Sequence, residues 1–312
     1  MFCNHLMRDR VPPSANNETN IFIVAFRQTL RAMTNFDIHI VSDTVCPWVR
    51  IPRHDRHYNC MLTILECYVG KKRLEKAISS YKSAYPNSQD NFSTTWAPFY
   101  LNPDAPKTDI DKRQHYISRF GEQRTKMMNE RLGAIGQAEG INFKFGGKTG
   151  NTRDSHRLIQ LGKTKSPALQ TRVVEELFTA YFEEEKDITS HEVLQQAGER
   201  AGLDAAEVRD WLASDKGGSE VDKEVASAKS QFISGVPNFT VQEKYVIEGA
   251  EDPSAFVQIF ERLKAGEAQG GERKSEQTLI NKRYVEFLLQ RKQLKLQSKG
   301  LTSSGFQANM KY

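Results

Sequence analysis

Cysteine is scarce: Cys3, Cys46, Cys60 and Cys67 are the only four in 312 residues, too few to staple a chain of this length into a disulfide scaffold. The fold must rest on an apolar core, and with 38% hydrophobic and 10% aromatic residues the material for one is present. Long apolar runs are lacking too. The longest candidate, Ile21–Phe26, falls far short of the roughly 18–20 residues a membrane span needs. It is also too short for a signal-peptide core, and no small-residue cleavage site follows it. A soluble, cytoplasmic protein is expected, in which Asn17-Glu18-Thr19, Asn91-Phe92-Ser93 and Asn238-Phe239-Thr240 need not be glycosylated. Internal repeats are missing. The net charge of +5 gathers at the margins: +2 in residues 1–32, +1 in 49–66 and +6 in 264–312, which leaves −4 for everything else. A mildly acidic centre offers no footprint for phosphate backbones, so neither nucleic acid nor a membrane is an expected partner.

What is there is a strand-and-helix pattern. Phe36–Val41 reads Phe-Asp-Ile-His-Ile-Val, alternating and then continuously apolar, as a strand entering a buried sheet does. From Cys67 to Tyr81, Val69, Leu74, Ala77 and Ile78 recur at helical spacing with basic residues opposite. Phe92–Leu101 predicts a second strand ending at Asn102-Pro103. A helical section follows: Ile110–Ala138 stopped by Gly140, then Pro167–Glu185, Ser190–Ala201, Ala205–Ala213 and Val221–Ile233. Thr189-Ser190 ahead of Glu192, and Asp204, are expected to cap helices, with Gly202 as a C-terminal stop. Gly235-Val236-Pro237 leads into a hairpin, Phe239–Val241 and Tyr245–Ile247 over Gln242-Glu243-Lys244, and Asp252-Pro253 opens a last helix through Leu263. Beyond the linker Ala265–Gly271, Ser275–Gln297 reads as one basic amphipathic helix, a solvated face or tail rather than a partner or membrane element.

Thiol–disulfide exchange needs a cysteine at the amino end of a helix, where free backbone N–H groups and the helix dipole favour the thiolate. It also needs a second cysteine two residues further on to resolve the mixed disulfide. A strand, Cys46-Pro47-Trp48 and a helix opening at Cys67-Tyr68 supply every part except the spacing. Omitting the eighteen residues Val49–Glu66 restores Val-Ser-Asp-Thr-Val-Cys-Pro-Trp-Cys-Tyr-Val-Gly-Lys-Lys. That string closely resembles the active-site segment of the DsbA-like thioredoxin-fold oxidoreductases, especially their cytosolic FrnE-type branch. Further blocks from Phe36 to Leu263 resemble the family in order: Trp96-Ala97-Pro98-Phe99-Tyr100-Leu101, Gly150-Asn151-Thr152 with His156-Arg157-Leu158, Leu177–Phe182 with Asp187-Ile188, Gly235-Val236-Pro237, and Gly249–Pro253.

The resemblance implies an α/β, thioredoxin-like fold with a large all-helical insertion. It divides the chain into a non-family extension at 1–32, a DsbA-like domain at 33–265 with the helical insertion at about 104–220, and a basic tail at 266–312. It further implies that Cys46 is the attacking thiolate, Cys67 the resolving thiol, and Pro47 and Trp48 the dipeptide setting the redox poise. Pro237 would be cis, with Val236 pairing with the substrate strand, and Asn151 and His156 would shape substrate choice. Substrates would be protein or glutathione thiols and disulfides, with glutathione as a co-substrate and no bound cofactor or metal. Several readings stay open beside these. Val49–Glu66 has the marks of an unspliced intron, since eighteen whole codons keep the frame, Val codons begin GT and Glu codons can end AG; the alternative is a loop insertion. Translated, the stretch is expected to take Cys46 off the helix start while leaving the fold intact. His54, His57 and Cys60 with Cys67 use zinc-ligand types, but the spacing is not a standard one and three Arg share the stretch, so no metal is expected. Cys46 and Cys67 could be unreactive core thiols, Pro237 a plain turn proline, and Asn151 a helix cap. A glutathione-dependent transferase or isomerase on the same fold, or a non-catalytic binding protein, are the competing functions.

Overall fold

The structure, a computed structural model, describes residues 33–46 and 67–265. Pro47, Trp48, the stretch Val49–Glu66, the extension 1–32 and the tail helix Ser275–Gln297 lie outside the described residues. By contacts the chain divides into Met1–Phe260 and Glu261–Tyr312. Of the second unit only residues 261–265 are described, the last turn of a helix closed by Ala265 N–H donating to Glu261 O at 2.9 Å.

Strand β1 (Asn35–Ser42) buries Phe36, Ile38 and Ile40 on one face and then Val41 and Ser42 as well, the burial its alternating-then-apolar pattern calls for. It pairs in parallel with β2 (Asn91–Pro98), Ile40 opposite Trp96. Helix α1 (Cys67–Ala84) makes the crossover between them. The short strand pair β3 (Ile110–Asp111) and β4 (Lys148–Thr149) follows, with helices α2 (Lys112–Phe120) and α3 (Glu122–Glu139) between them. Then come α4 (Arg153–Lys165), α5 (Pro167–Phe178), α6 (His191–Ala201), α7 (Ala205–Ala213) and α8 (Gly218–Ser230). The hairpin β5 (Asn238–Val241) and β6 (Tyr245–Glu248) and helix α9 (Pro253–Lys264) close the fold. The main sheet has the order β2-β1-β5-β6, with β5 antiparallel to β1. This is a thioredoxin-like α/β fold carrying a helical insertion.

Three local expectations are corrected. Ile110–Ala138 is not one helix: Ile110–Asp111 is strand, Asp111 caps α2 by accepting from Gln114 N–H at 2.7 Å, and Gly121 at φ 83° breaks the run before α3. Pro167–Glu185 is α-helical only to Phe178 and widens into a π-helical turn over Thr179–Glu183. Ser190 occupies the N-cap of α6 but makes no side-chain capping bond. Elsewhere local signals match the structure: Gly140 and Gly202 are left-handed C-caps, and Asp204 accepts from Glu207 N–H at 2.8 Å. The β5–β6 turn puts Gln242 and Glu243 both at φ 52°, where glycine or asparagine is usual. Gln242 is tied into the sheet by its side chain, which donates to Asn35 O at 2.7 Å and accepts from Asp37 N–H at 3.1 Å.

Candidate active site

The segment leaving β1, from Ser42 to Cys46, runs into the start of α1. Phe99 N–H donates to Ser42 O at 2.9 Å, and Leu101 N–H donates to the Asp43 carboxylate at 2.8 Å, so the segment after β2 holds it from one side. Thr44 and Ser155 hydroxyls meet at 2.7 Å, and Ser155 in turn donates to Thr152 O at 2.8 Å, so the first turn of α4 holds it from another. Cys46 then sits 1% exposed beside Cys67, the first residue of α1, also 1% exposed, and no disulfide joins the two. The Cys46 thiol donates to Val236 O at 3.4 Å. The Val236–Pro237 peptide is cis and both residues are buried.

Burial pushes the Cys46 thiol well above its ordinary value, and the Cys67 side chain and the Asp43 charge push the same way, while the Cys67 backbone N–H pulls it down. This corrects the expectation that the intervening stretch removes Cys46 from the helix start. The stretch lies between the two cysteines in sequence, yet the first backbone donor of α1 still reaches the Cys46 sulfur. What opposes ionisation is desolvation rather than loss of the helix end.

Asn151 and His156 lie behind this centre. The Asn151 carbonyl oxygen accepts from Arg153 N–H at 2.9 Å and its amide donates to Ala105 O at 3.3 Å, so it shapes the entry to α4. His156 is 3% exposed, its Nε2 at 3.3 Å from Asp43 Oδ1 and 3.2 Å from Phe99 O. It touches the Ser42–Cys46 segment through Asp43, three residues before Cys46. The adjacent Arg157, 2% exposed, points the other way and donates to Trp211 O (2.6 Å), Lys216 O (3.0 Å) and Ser214 O. The two residues of this His-Arg pair therefore fasten α4 to two different neighbours. Asp43 and Gly70 were not singled out in the sequence. A Cβ on Gly70 would stand 3.0 Å from both the Pro237 ring and the Phe239 ring, so glycine is what lets α1 lie against the Val236–Pro237 loop. A glycine inside a helix, roughly 1 kcal/mol worse than alanine, was the available signal for that close approach.

The family model of the DSBA-like thioredoxin domain matches residues 67–261. The chain belongs to the DSBA-like thioredoxin domain family. The match begins at Cys67, while the strand β1 and Cys46 that complete the domain precede it. Among solved structures, a probable DsbA oxidoreductase from Streptomyces coelicolor is 26% identical, with 74% of this chain and 91% of that chain covered at a TM-score of 0.61. A candidate protein disulfide isomerase from Nitrosomonas europaea is 15% identical, covering 76% of this chain and 100% of that one at a TM-score of 0.52, a likeness of fold alone. No curated protein matches the chain. The DSBA-like domain is thus a member of a thiol-disulfide oxidoreductase family. Among the described residues, no helix is long and apolar enough to cross a membrane, and no three His, Cys, Asp or Glu residues cluster as metal ligands.

Proposed function

We propose that the chain exchanges disulfides through Cys46 and Cys67, with Cys46 as the attacking thiolate and Cys67 as the resolving thiol. The observation that carries this reading is the contact of the two buried thiols at the start of α1, beside the carbonyl of Val236. In the reducing direction, the Cys46 thiolate attacks one sulfur of a substrate disulfide. A new S–S bond forms as the substrate bond breaks, and the departing sulfur takes a proton from water. Cys67, deprotonated in its turn, attacks the Cys46 sulfur and releases the second substrate thiol, leaving a Cys46–Cys67 disulfide. The substrate gains two thiols and the enzyme loses two. Two molecules of glutathione, oxidised to their disulfide, restore the pair, and the same steps reversed oxidise a dithiol substrate.

When Cys46 ionises it ceases to donate to the Val236 carbonyl, which is then free to accept a backbone N–H from an extended substrate. Pro47 and Trp48 set the poise of the pair in this reading. Asn151 and His156 act on substrate choice through the segments they hold, Ala105–Pro106 and Asp43, rather than by direct contact. A reducing, cytoplasmic setting suits a cysteine pair in a chain with so few others. Val49–Glu66 is taken as absent from the mature message, and long-read cDNA dominated by transcripts retaining those eighteen codons would overturn that part.

Glutathione-disulfide exchange and insulin reduction by the full chain test the central reading. Because burial holds the Cys46 thiol up, the rate should climb about tenfold per pH unit from pH 6 towards 9, as the thiolate fraction rises. Cys46→Ser should abolish exchange, and Cys67→Ser should stop at a mixed disulfide visible by mass spectrometry. Equal rates in Cys46→Ser and the unaltered chain would dismiss the assignment.

A further inference from the structure

Most side chains around the exchange centre have partners, but one does not use its bulk for the fold. Phe232 is 92% exposed, against 58% for Val246 and 56% for Met33, the next most exposed large apolar residues described. Scattered exposed apolar side chains are ordinary. Phe232 differs because its backbone is also unfavourable, at φ 60°, a left-handed conformation that costs a non-glycine residue on the order of 1 kcal/mol. The chain needs that conformation to end α8: Phe232 N–H donates to Lys229 O at 3.1 Å and Ile233 N–H to Ala228 O at 3.2 Å. Glycine would serve the turn better and would expose no ring. The fold therefore gains nothing from a phenylalanine at this position.

Its place in the chain is what gives the ring a use. Four residues on, Val236 presents the carbonyl that accepts from Cys46 Sγ. Four residues span at most about 14 Å, which keeps Phe232 within reach of a polypeptide lying across the exchange centre. Ser230, Gln231 and Ser234 around it are exposed and polar, so the ring is a single apolar point in a hydrophilic rim, the arrangement in which one aromatic contributes much of a contact.

We propose that Phe232 is a docking residue for the polypeptide substrate, packing against an apolar side chain that flanks the substrate's cysteine. The proposal rests on the exchange reading for which substrates are concerned, but its test does not require turnover. The probe is insulin B chain with both cysteines carboxamidomethylated, which cannot exchange, titrated into the full 312-residue chain. Phe232→Ala removes the ring and keeps the strained backbone, Phe232→Gly removes both, and Phe232→Tyr keeps the ring. Binding should weaken about tenfold in the Ala and Gly variants alike and hold in Tyr, while thermal unfolding ranks Gly as the most stable of the set. In exchange assays the same two variants should lose about tenfold in kcat/KM towards insulin, through KM, with glutathione-disulfide rates unchanged. Equal B-chain affinity in all four proteins, or no binding by the unaltered chain, would overturn the proposal, as would an equal loss towards glutathione disulfide. A concentration-dependent dimer that disappears in Phe232→Ala would reassign the ring to a contact between copies of the chain. Failure of the exchange reading shows separately, as activity surviving in Cys46→Ser.

Discussion

Within the sheet half, Phe36 meets Tyr81, Phe92 and Phe260 with ring centroids 5.3, 4.6 and 5.2 Å apart, so β1, α1, β2 and α9 are joined through one aromatic cluster. The seam between that half and the helical block is built differently. Gln170 of α5, 1% exposed, accepts from Trp96 N–H at 3.0 Å and donates to Trp96 O at 2.8 Å. Because β2 is an edge strand of the sheet, this amide supplies the bonds that a further strand would have made. Trp96 Nε1 donates to Thr171 Oγ1 at 3.0 Å, Tyr68 OH donates to Glu183 at 2.7 Å, and His156 meets Asp43. Apolar contacts reward area and tolerate rearrangement, whereas buried polar pairs demand one geometry and leave an expensive orphan when a partner goes. The segment Ser42–Cys46 lies where the two kinds of packing meet, which fixes it more tightly than ring packing alone would.

Three substitutions separate the two kinds of packing. Phe36→Ala should be the most damaging, removing the fully buried hub of the aromatic cluster at a cost of about 3–5 kcal/mol. Urea denaturation measures it, and a loss below about 1.5 kcal/mol would mean the remaining rings close the cavity. Gln170→Leu keeps the volume nearly constant but strands both backbone groups of Trp96, for about 2–4 kcal/mol at roughly 1–2 per orphaned group. If it proved neutral, the seam would hold by shape rather than by hydrogen bonds. The smallest effect belongs to the outermost link between α1 and α3, where Glu139 accepts from Arg73 at 2.8 Å and from Lys76 at 2.6 Å. Burial raises the Glu139 carboxyl, but the bonds from Lys76 and Arg73 outweigh it and hold the group below the usual carboxylate range. A depressed carboxyl stabilises the folded state fully above its unfolded value, about 4.3, and loses that contribution as pH falls through the lower folded value. Glu139→Gln should therefore cost about 1 kcal/mol or less near neutrality and nothing near pH 2, a difference that added salt shrinks.

The parts of the fold that could be read in the sequence are those built from neighbours in the chain. The alternation of Phe36, Ile38 and Ile40, the stops at Gly140 and Gly202, the cap at Asp204 and the hairpin over Gln242-Glu243-Lys244 each depend on a few adjacent residues. The unbroken helix expected over Ile110–Ala138 failed because apolar period alone hid the break at Gly121, and because β3 exists only through its pairing with β4, nearly forty positions away. At the candidate site, cysteines, proline and valine announced themselves as a motif, while Asp43, Gly70 and Gln170 did not. An aspartate, a glycine inside a helix and a glutamine have many ordinary uses, and nothing local says which will be buried.

The restored cysteine motif and the order of the main-sheet strands were determined by the sequence alone, since periodicity, caps and motif residues act over a few positions. Only the tertiary structure decided that Cys46 and Cys67 meet despite the residues between them, that burial beside Val236 O pushes the Cys46 thiol up, and that His156 meets Asp43. These outcomes join residues up to 190 positions apart, and desolvation belongs to the packed surroundings of an atom rather than to its neighbours in the chain.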